Sequence, residues 1–190
     1  MRFAQIFEAP IGNRGDVSEV LQAVALYLLF KKKTVSDKEI VDFVIKQVSA
    51  RSPNINIQSK PNQKGDVFRL QFPVPASVQS TMFDPKNYQQ GGLYADMPNK
   101  VAQATSNEYS KQVSFIHDNQ RKDAVDIAVV GAKGGKVDVM GTVTYTDAQG
   151  KQKTEPLENM EISLKIGSDK FGQLSGKQMV AAFGNAFGIN

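Results

Sequence analysis

Two segments near the end of the chain, 136–146 and 160–166, alternate between apolar and polar residues. This alternation is typical of β-strands that bury one face, because successive side chains of a strand point to opposite sides. The polar side of the two segments carries Lys136, Asp138, Glu161, Ser163 and Lys165. A hairpin centred near Lys151 would bring the segments side by side. The sequence therefore predicts two neighbouring strands that bury one face and present charge on the other.

Helices are predicted before and after these strands in the chain. Apolar residues of 16–30 recur at helical spacing, and Asp16 with Glu19 has the spacing of a capping box. A second capping box, Ser36 with Glu39, predicts a helix over 36–50. The other predicted elements are a helix over 99–118, a strand over 124–130 and a last helix over 171–187.

The segment 51–98 has a different texture, rich in Pro, Asn, Gln and Gly, with short strand-like pieces at 55–58 and 67–72. We interpret it as an insertion of loops and small strands that decorates the core. A length of 190 residues suits one domain. The expected fold class is α/β (α+β), with a central mixed β-sheet flanked by helices in a single domain over 1–190.

Composition restricts the chemistry. The chain has no cysteine and one histidine, His117, which excludes disulfides, zinc-thiolate sites, cysteine nucleophiles and sites that need two imidazoles. Any bound metal would need oxygen ligands, which favours Mg²⁺ or Mn²⁺. A net charge of +4 is compatible with a polyanionic partner.

The sequence also shows features that bear on where the protein is located and whether it contacts a membrane. The N-terminus shows no basic-then-apolar leader, and the longest apolar run, 20–30, is too short to span a bilayer. We therefore expect a cytoplasmic protein of a bacterial or phage-infected cell, with no membrane partner.

The polar side of the two strands suits phosphodiester hydrolysis. If the hairpin forms as expected, Asp138 lies across from 161–165, so that two carboxylates, a hydroxyl and an ammonium converge. Carboxylates can hold a metal ion that polarises a phosphate, and a neighbouring lysine can stabilise the charge that develops. The alternative for the same residues is an ordinary solvated strand face with an ion pair between Asp138 and Lys165.

The residues of these two strands resemble a motif of a known family. The segment 136–139, Lys-Val-Asp-Val, followed after a hairpin by 161–165, Glu-Ile-Ser-Leu-Lys, resembles the PD-(D/E)XK nucleases of the restriction-endonuclease-like fold. The resemblance covers the first helix and roughly 123–188. It implies a restriction-endonuclease-like core in which 51–98 is an insertion.

The resemblance implies a divalent-metal-dependent deoxyribonuclease, with Lys165 as the catalytic lysine. The implied catalytic residues are Asp138, Glu161, Lys165, Ser163 and Gln173, and the implied ligands of Mg²⁺ or Mn²⁺ are Glu19, Asp138 and Glu161. DNA would be the partner, contacted by Asn, Gln, Tyr and Arg residues of 51–98. Since the family core usually adds a strand after the last helix, we also expect a homodimer or a partner subunit.

The sequence departs from the family pattern at two positions. Ser163 stands where the family has an acidic residue, and Val137 stands where a proline often precedes the first Asp. A second hypothesis is therefore a catalytically inactive relative that binds nucleic acid or a protein partner. A third is a phage-encoded inhibitor or virion component that reuses the fold.

Overall fold

The computed structural model describes residues 11–59, 67–119, 124–131 and 139–162, with the backbone alone at 11–13, 112, 115–119, 124–128 and 158–162. The helices are α1 (Ile11–Lys32), α2 (Asp37–Phe43), α3 (Ala76–Met82) and α4 (Met97–Asn119). The strands are β1 (Asn54–Gln58), β2 (Val67–Pro73), β3 (Ala124–Gly131), β4 (Val139–Thr146) and β5 (Gln152–Ile162). The predicted last helix over 171–187 lies outside the described residues.

The strands form one sheet in the order β1-β2-β3-β4-β5. β2 and β3 are parallel, and the other neighbouring pairs are antiparallel. A parallel pair needs a long crossover, and here the connection passes through α3 and α4. The predicted α/β class with a mixed sheet is confirmed.

Helix α1 lies in the interior. Every residue from 17 to 30 is buried except Glu19, which is partly exposed. The helix packs on β2, β3 and β4 and also against α4. A helix that is apolar on all sides is stable only when it is covered on all sides. We call the side of the sheet that faces α1 the inner face and the opposite side the outer face.

The start of α1 differs from the prediction. The helix begins at Ile11, so Asp16 lies inside it, and the predicted capping box of Asp16 with Glu19 is wrong. The Asp16 carboxylate instead accepts a hydrogen bond from Ser77 Oγ of α3, over 3.2 Å. The side chain of Arg14 donates to Leu93 O and Asp96 Oδ1. Contacts with distant residues therefore extend the helix beyond its local start signal.

The start of α2 follows the prediction. Ser36 Oγ accepts from Glu39 N, and Glu39 Oε2 accepts from Ser36 N, which completes the capping box. A hydrogen bond from Lys32 is the main cause that lowers the pKa of Glu39. The helical path continues through a π-turn (Val44–Val48) and a 3-10 turn (Ser49–Arg51), close to the predicted end.

The predicted strands of the segment 51–98 are confirmed as β1 and β2. They are the first two strands at one edge of the five-stranded sheet, and their alternate residues contribute to the core. These core residues are Ile55, Ile57, Phe68, Leu70 and Phe72. Helix α3 was not predicted. The segment is thus a structural part of the sheet, and its status as an insertion stays a prediction.

The hairpin of β4 and β5 closes at residues 147–151, where Asp147 N donates to Lys151 O over 2.9 Å. The hairpin near Lys151 is thus confirmed, but β5 begins at Gln152, eight residues before the predicted strand segment 160–166. Residues 152–156 of this edge strand are all exposed. They lack the buried face from which a strand is recognised.

Candidate functional site

The candidate site lies at the end of the β4–β5 hairpin opposite its turn. There Val139 pairs with Ile162, and Met140 pairs with Glu161. These pairs bring the start of β4, which follows Asp138 in sequence, alongside the end of β5, which precedes Ser163. Asp138, Ser163, Lys165 and Gln173 lie outside the described residues, and their convergence stays a prediction.

An irregularity in β5 precedes Glu161. Thr142 pairs with Pro156 and Met140 pairs with Glu161, so the four residues 157–160 of β5 lie opposite Gly141 alone. Leu157, at the start of this bulge, is only 8% exposed and belongs to the hydrophobic core. Bulges occur frequently beside active sites, where they redirect the residues that follow. Here the bulge determines which residue of β5 faces Met140.

The sheet register assigns Glu161 to the outer face. Val139 is fully buried on the inner face and pairs with Ile162, so the neighbouring pair of Met140 and Glu161 belongs to the other side. Thr142, two residues along the same face, is 7% exposed. The outer face is therefore partly covered at Thr142 and at the half-buried Met140.

Glu19 lies on a different element from the other predicted metal ligands. It is part of α1, which packs on the inner face, whereas Glu161 holds a register position on the outer face. The role of Glu19 as a third ligand stays a prediction.

The described part of the chain contains few of the carboxylates that are predicted to bind a metal ion. Within the ranges that the structure describes, no three His, Cys, Asp or Glu residues are grouped so that they could hold an ion. The predicted ligands Asp138 and Glu161 fall outside those ranges or on backbone alone. Their carboxylate oxygens are of the donor type that Mg²⁺ and Mn²⁺ prefer.

The sequence predicted DNA contacts from 51–98 only as a group, without naming the residues on the outer face of β1 and β2. Alternate residues of β1 are exposed amides, Asn54, Asn56 and Gln58, separated by the buried Ile55 and Ile57. The signal was present in the sequence as strict alternation over five residues. It becomes informative only when the register shows which strands continue the same face.

Two observations concern the chain as a whole. Over the ranges described above, no helix is long and apolar enough to cross a membrane. Comparison of the chain with protein-family models, with curated proteins and with solved structures finds no match.

Proposed function

We propose that this protein is a divalent-metal-dependent nuclease that hydrolyses phosphodiester bonds in DNA. The observation that carries the proposal is the antiparallel pairing of Val139 with Ile162 and of Met140 with Glu161. This pairing supports the proposal because Asp138 directly precedes Val139 and Ser163 directly follows Ile162 in the sequence. The bulge over 157–160 adds support, since irregular strand geometry is frequent at functional sites.

The chemistry assigned to each residue follows from its side chain. A bound Mg²⁺ or Mn²⁺ supplies Lewis-acid activation of the phosphate and of water. Asp138 and Glu161 would hold the ion, and Glu19 would complete its ligands. The ammonium of Lys165 would offset the charge that builds on the phosphate oxygens, and Ser163 and Gln173 would orient water by hydrogen bonds. Water adds to phosphorus, the bond to the leaving sugar oxygen breaks, and that oxygen takes a proton.

The first test is a cleavage assay. Purified protein is incubated with supercoiled plasmid, linear single- and double-stranded DNA, and RNA, each with Mg²⁺, Mn²⁺ or EDTA. Lys165→Ala and Asp138→Ala are compared with Lys151→Ala, an exposed lysine of the hairpin turn at the other end of the strands. Metal-dependent cleavage that only the control variant retains supports the proposal. Cleavage that persists in both site variants overturns it.

Ser163 favours a second candidate, a catalytically inactive relative that binds nucleic acid or a protein partner. Titration calorimetry with Mn²⁺ separates the two functions. A working site binds Mn²⁺ and loses that binding in Asp138→Ala, whereas an inactive relative binds DNA equally well in EDTA and cleaves nothing. The proposal further includes a cytoplasmic setting in a bacterial or phage-infected cell and a homodimer or partner subunit.

A further inference from the structure

The outer face of β1 and β2 is built from hydrogen-bonding side chains. Asn54, Asn56 and Gln58 of β1 and Gln71 of β2 are all exposed. Among the hydrogen bonds of the described residues, none involves the side chains of these four amides. Arg69 pairs with Gln58 on the same face. The face therefore offers several donors and acceptors in fixed positions on a regular sheet.

This amide face is continuous with the candidate site. Register links Asn56 to Gln71, Gln71 to Val130, Val130 to Met140, and Met140 to Glu161. These five residues form one row across the outer face, from one edge of the sheet to the other. With neighbouring strands about 4.8 Å apart, the row is about 19 Å long. At about 3.4 Å per nucleotide of one strand, it matches about six nucleotides.

The chemistry of the face suits nucleic acid. Amides both donate and accept hydrogen bonds, so they can contact phosphates, sugars and base edges. The outer-face positions of β1 and β2 contain no acidic residue, and the whole chain carries a net charge of +4.

We propose that the outer face of β1 and β2, centred on Asn56 and Gln71, binds the nucleic-acid strand whose phosphate reaches Glu161 at the other end of the row. This inference rests on the proposed function, since it names the surface that holds the substrate. Helix α1 covers the inner face, whereas the outer face is exposed at Asn54, Asn56, Gln58 and Gln71, so this part of the sheet is where a strand can lie. If this face were only solvated, substitutions at Asn56 and Gln71 would not change the affinity for nucleic acid.

The test measures binding without cleavage. Anisotropy of labelled single- and double-stranded DNA and of RNA is recorded in EDTA for the full chain and for Asn56→Asp/Gln71→Glu. The exchange adds two negative charges with little change of shape at exposed positions, so folding should be unaffected. We expect affinity for the preferred nucleic acid to fall about tenfold. The matched control is Gln89→Glu/Gln90→Glu, which adds the same charge at exposed positions outside the sheet.

A second variant, Asn56→Ala/Gln71→Ala, removes the amides without adding charge and should also weaken binding. Equal affinity of the acidic variant and its control overturns the inference. The same holds if the acidic variant changes the oligomeric state in size-exclusion chromatography while DNA binding is unchanged, because the face would then hold a second copy. If the protein cleaves DNA with a metal ion and the Asn56/Gln71 variants bind DNA as the parent does, the surface proposal fails and the nuclease proposal stands. Face-dependent binding without cleavage supports the surface and refutes the nuclease.

Discussion

Gln22 of α1 donates its side-chain amide to Thr105 Oγ1 of α4 over 2.7 Å, in the interior of the molecule. The Thr105 hydroxyl in turn donates to Val101 O over 2.7 Å. Gln22 is 4% exposed and Thr105 is fully buried, so water does not replace this bond. The polar residue that interrupts the longest apolar run of the sequence thus connects the two longest helices.

This relationship predicts a specific pattern of stabilities. Thr105→Val leaves the amide of Gln22 without its acceptor in the core and should lower the free energy of unfolding by about 1–3 kcal/mol. The double variant Gln22→Met/Thr105→Val removes both partners and should be more stable than Thr105→Val alone. Urea unfolding followed by circular dichroism measures all three proteins. Additive losses in the double variant would contradict a direct bond between the two side chains.

The bulge of β5 predicts a separation of activity from stability. Leu157→Ala should cost about 2–4 kcal/mol, because a core side chain at the edge of the sheet is removed. It should also reduce cleavage more than Ile40→Ala, a fully buried change on α2 of similar cost. Activity is compared at a temperature where both variants are folded. Equal activity in the two variants would show that the bulge does not position the site.

The loop before α4 predicts different results for two adjacent glycines. A Cβ at Gly92 would lie 2.5 Å from Lys86 O, so Gly92→Ala must displace backbone and should cost about 1–3 kcal/mol. At Gly91 the added carbon meets nothing within 4 Å, but φ is +82°. Gly91→Ala should therefore cost about 1–2 kcal/mol from backbone strain. Thermal unfolding ranks the two, and a larger loss at Gly91 would contradict the close approach at Gly92.

The ion pairs of Asp96 predict a pH-dependent contribution to stability. Hydrogen bonds from Lys100 and Arg14 lower the pKa of this carboxyl to about 2. A lowered folded-state pKa stabilises fully above the ordinary value of 3.8, and the contribution is lost as pH falls through about 2. Because the side chain is 48% exposed, the contribution at pH 7 should be at most about 1 kcal/mol.

The measurement for this prediction is a pair of denaturant titrations of Asp96→Asn and the parent protein. Their difference should disappear near pH 2 and shrink in 1 M salt, where the Debye length is about 3 Å. Asp42→Asn is the control, since Asp42 forms a longer, 3.8 Å pair with Lys46 at the surface. A difference that persists at pH 2 would assign the effect to packing rather than charge.

Local sequence signals determined much of the fold. Alternation predicted β4, and the strand-like pieces at 55–58 and 67–72 and the strand predicted over 124–130 correspond to β1, β2 and β3. Helical spacing predicted the position of α1, and Ser36 with Glu39 predicted the start of α2. These predictions succeeded because each depends on residues within a few positions of one another. The motifs around Asp138 and Lys165 are likewise features of the sequence alone, and their catalytic roles stay predictions.

Tertiary structure decided what depends on distant residues. Helix α1 starts at Ile11 rather than at Asp16, because contacts with α3 and with the loop before α4 hold its first turns. Strand β5 starts at Gln152, because pairing with β4 rather than apolar periodicity holds an edge strand. The row that joins Asn56 to Glu161 was beyond prediction, since it needs the order of five strands and a four-residue bulge. Sequence by itself determined most of the helices and strands and which side chains could do chemistry. Only tertiary structure decided where α3 and the first part of β5 form, and only long-range register decided which residues share a face.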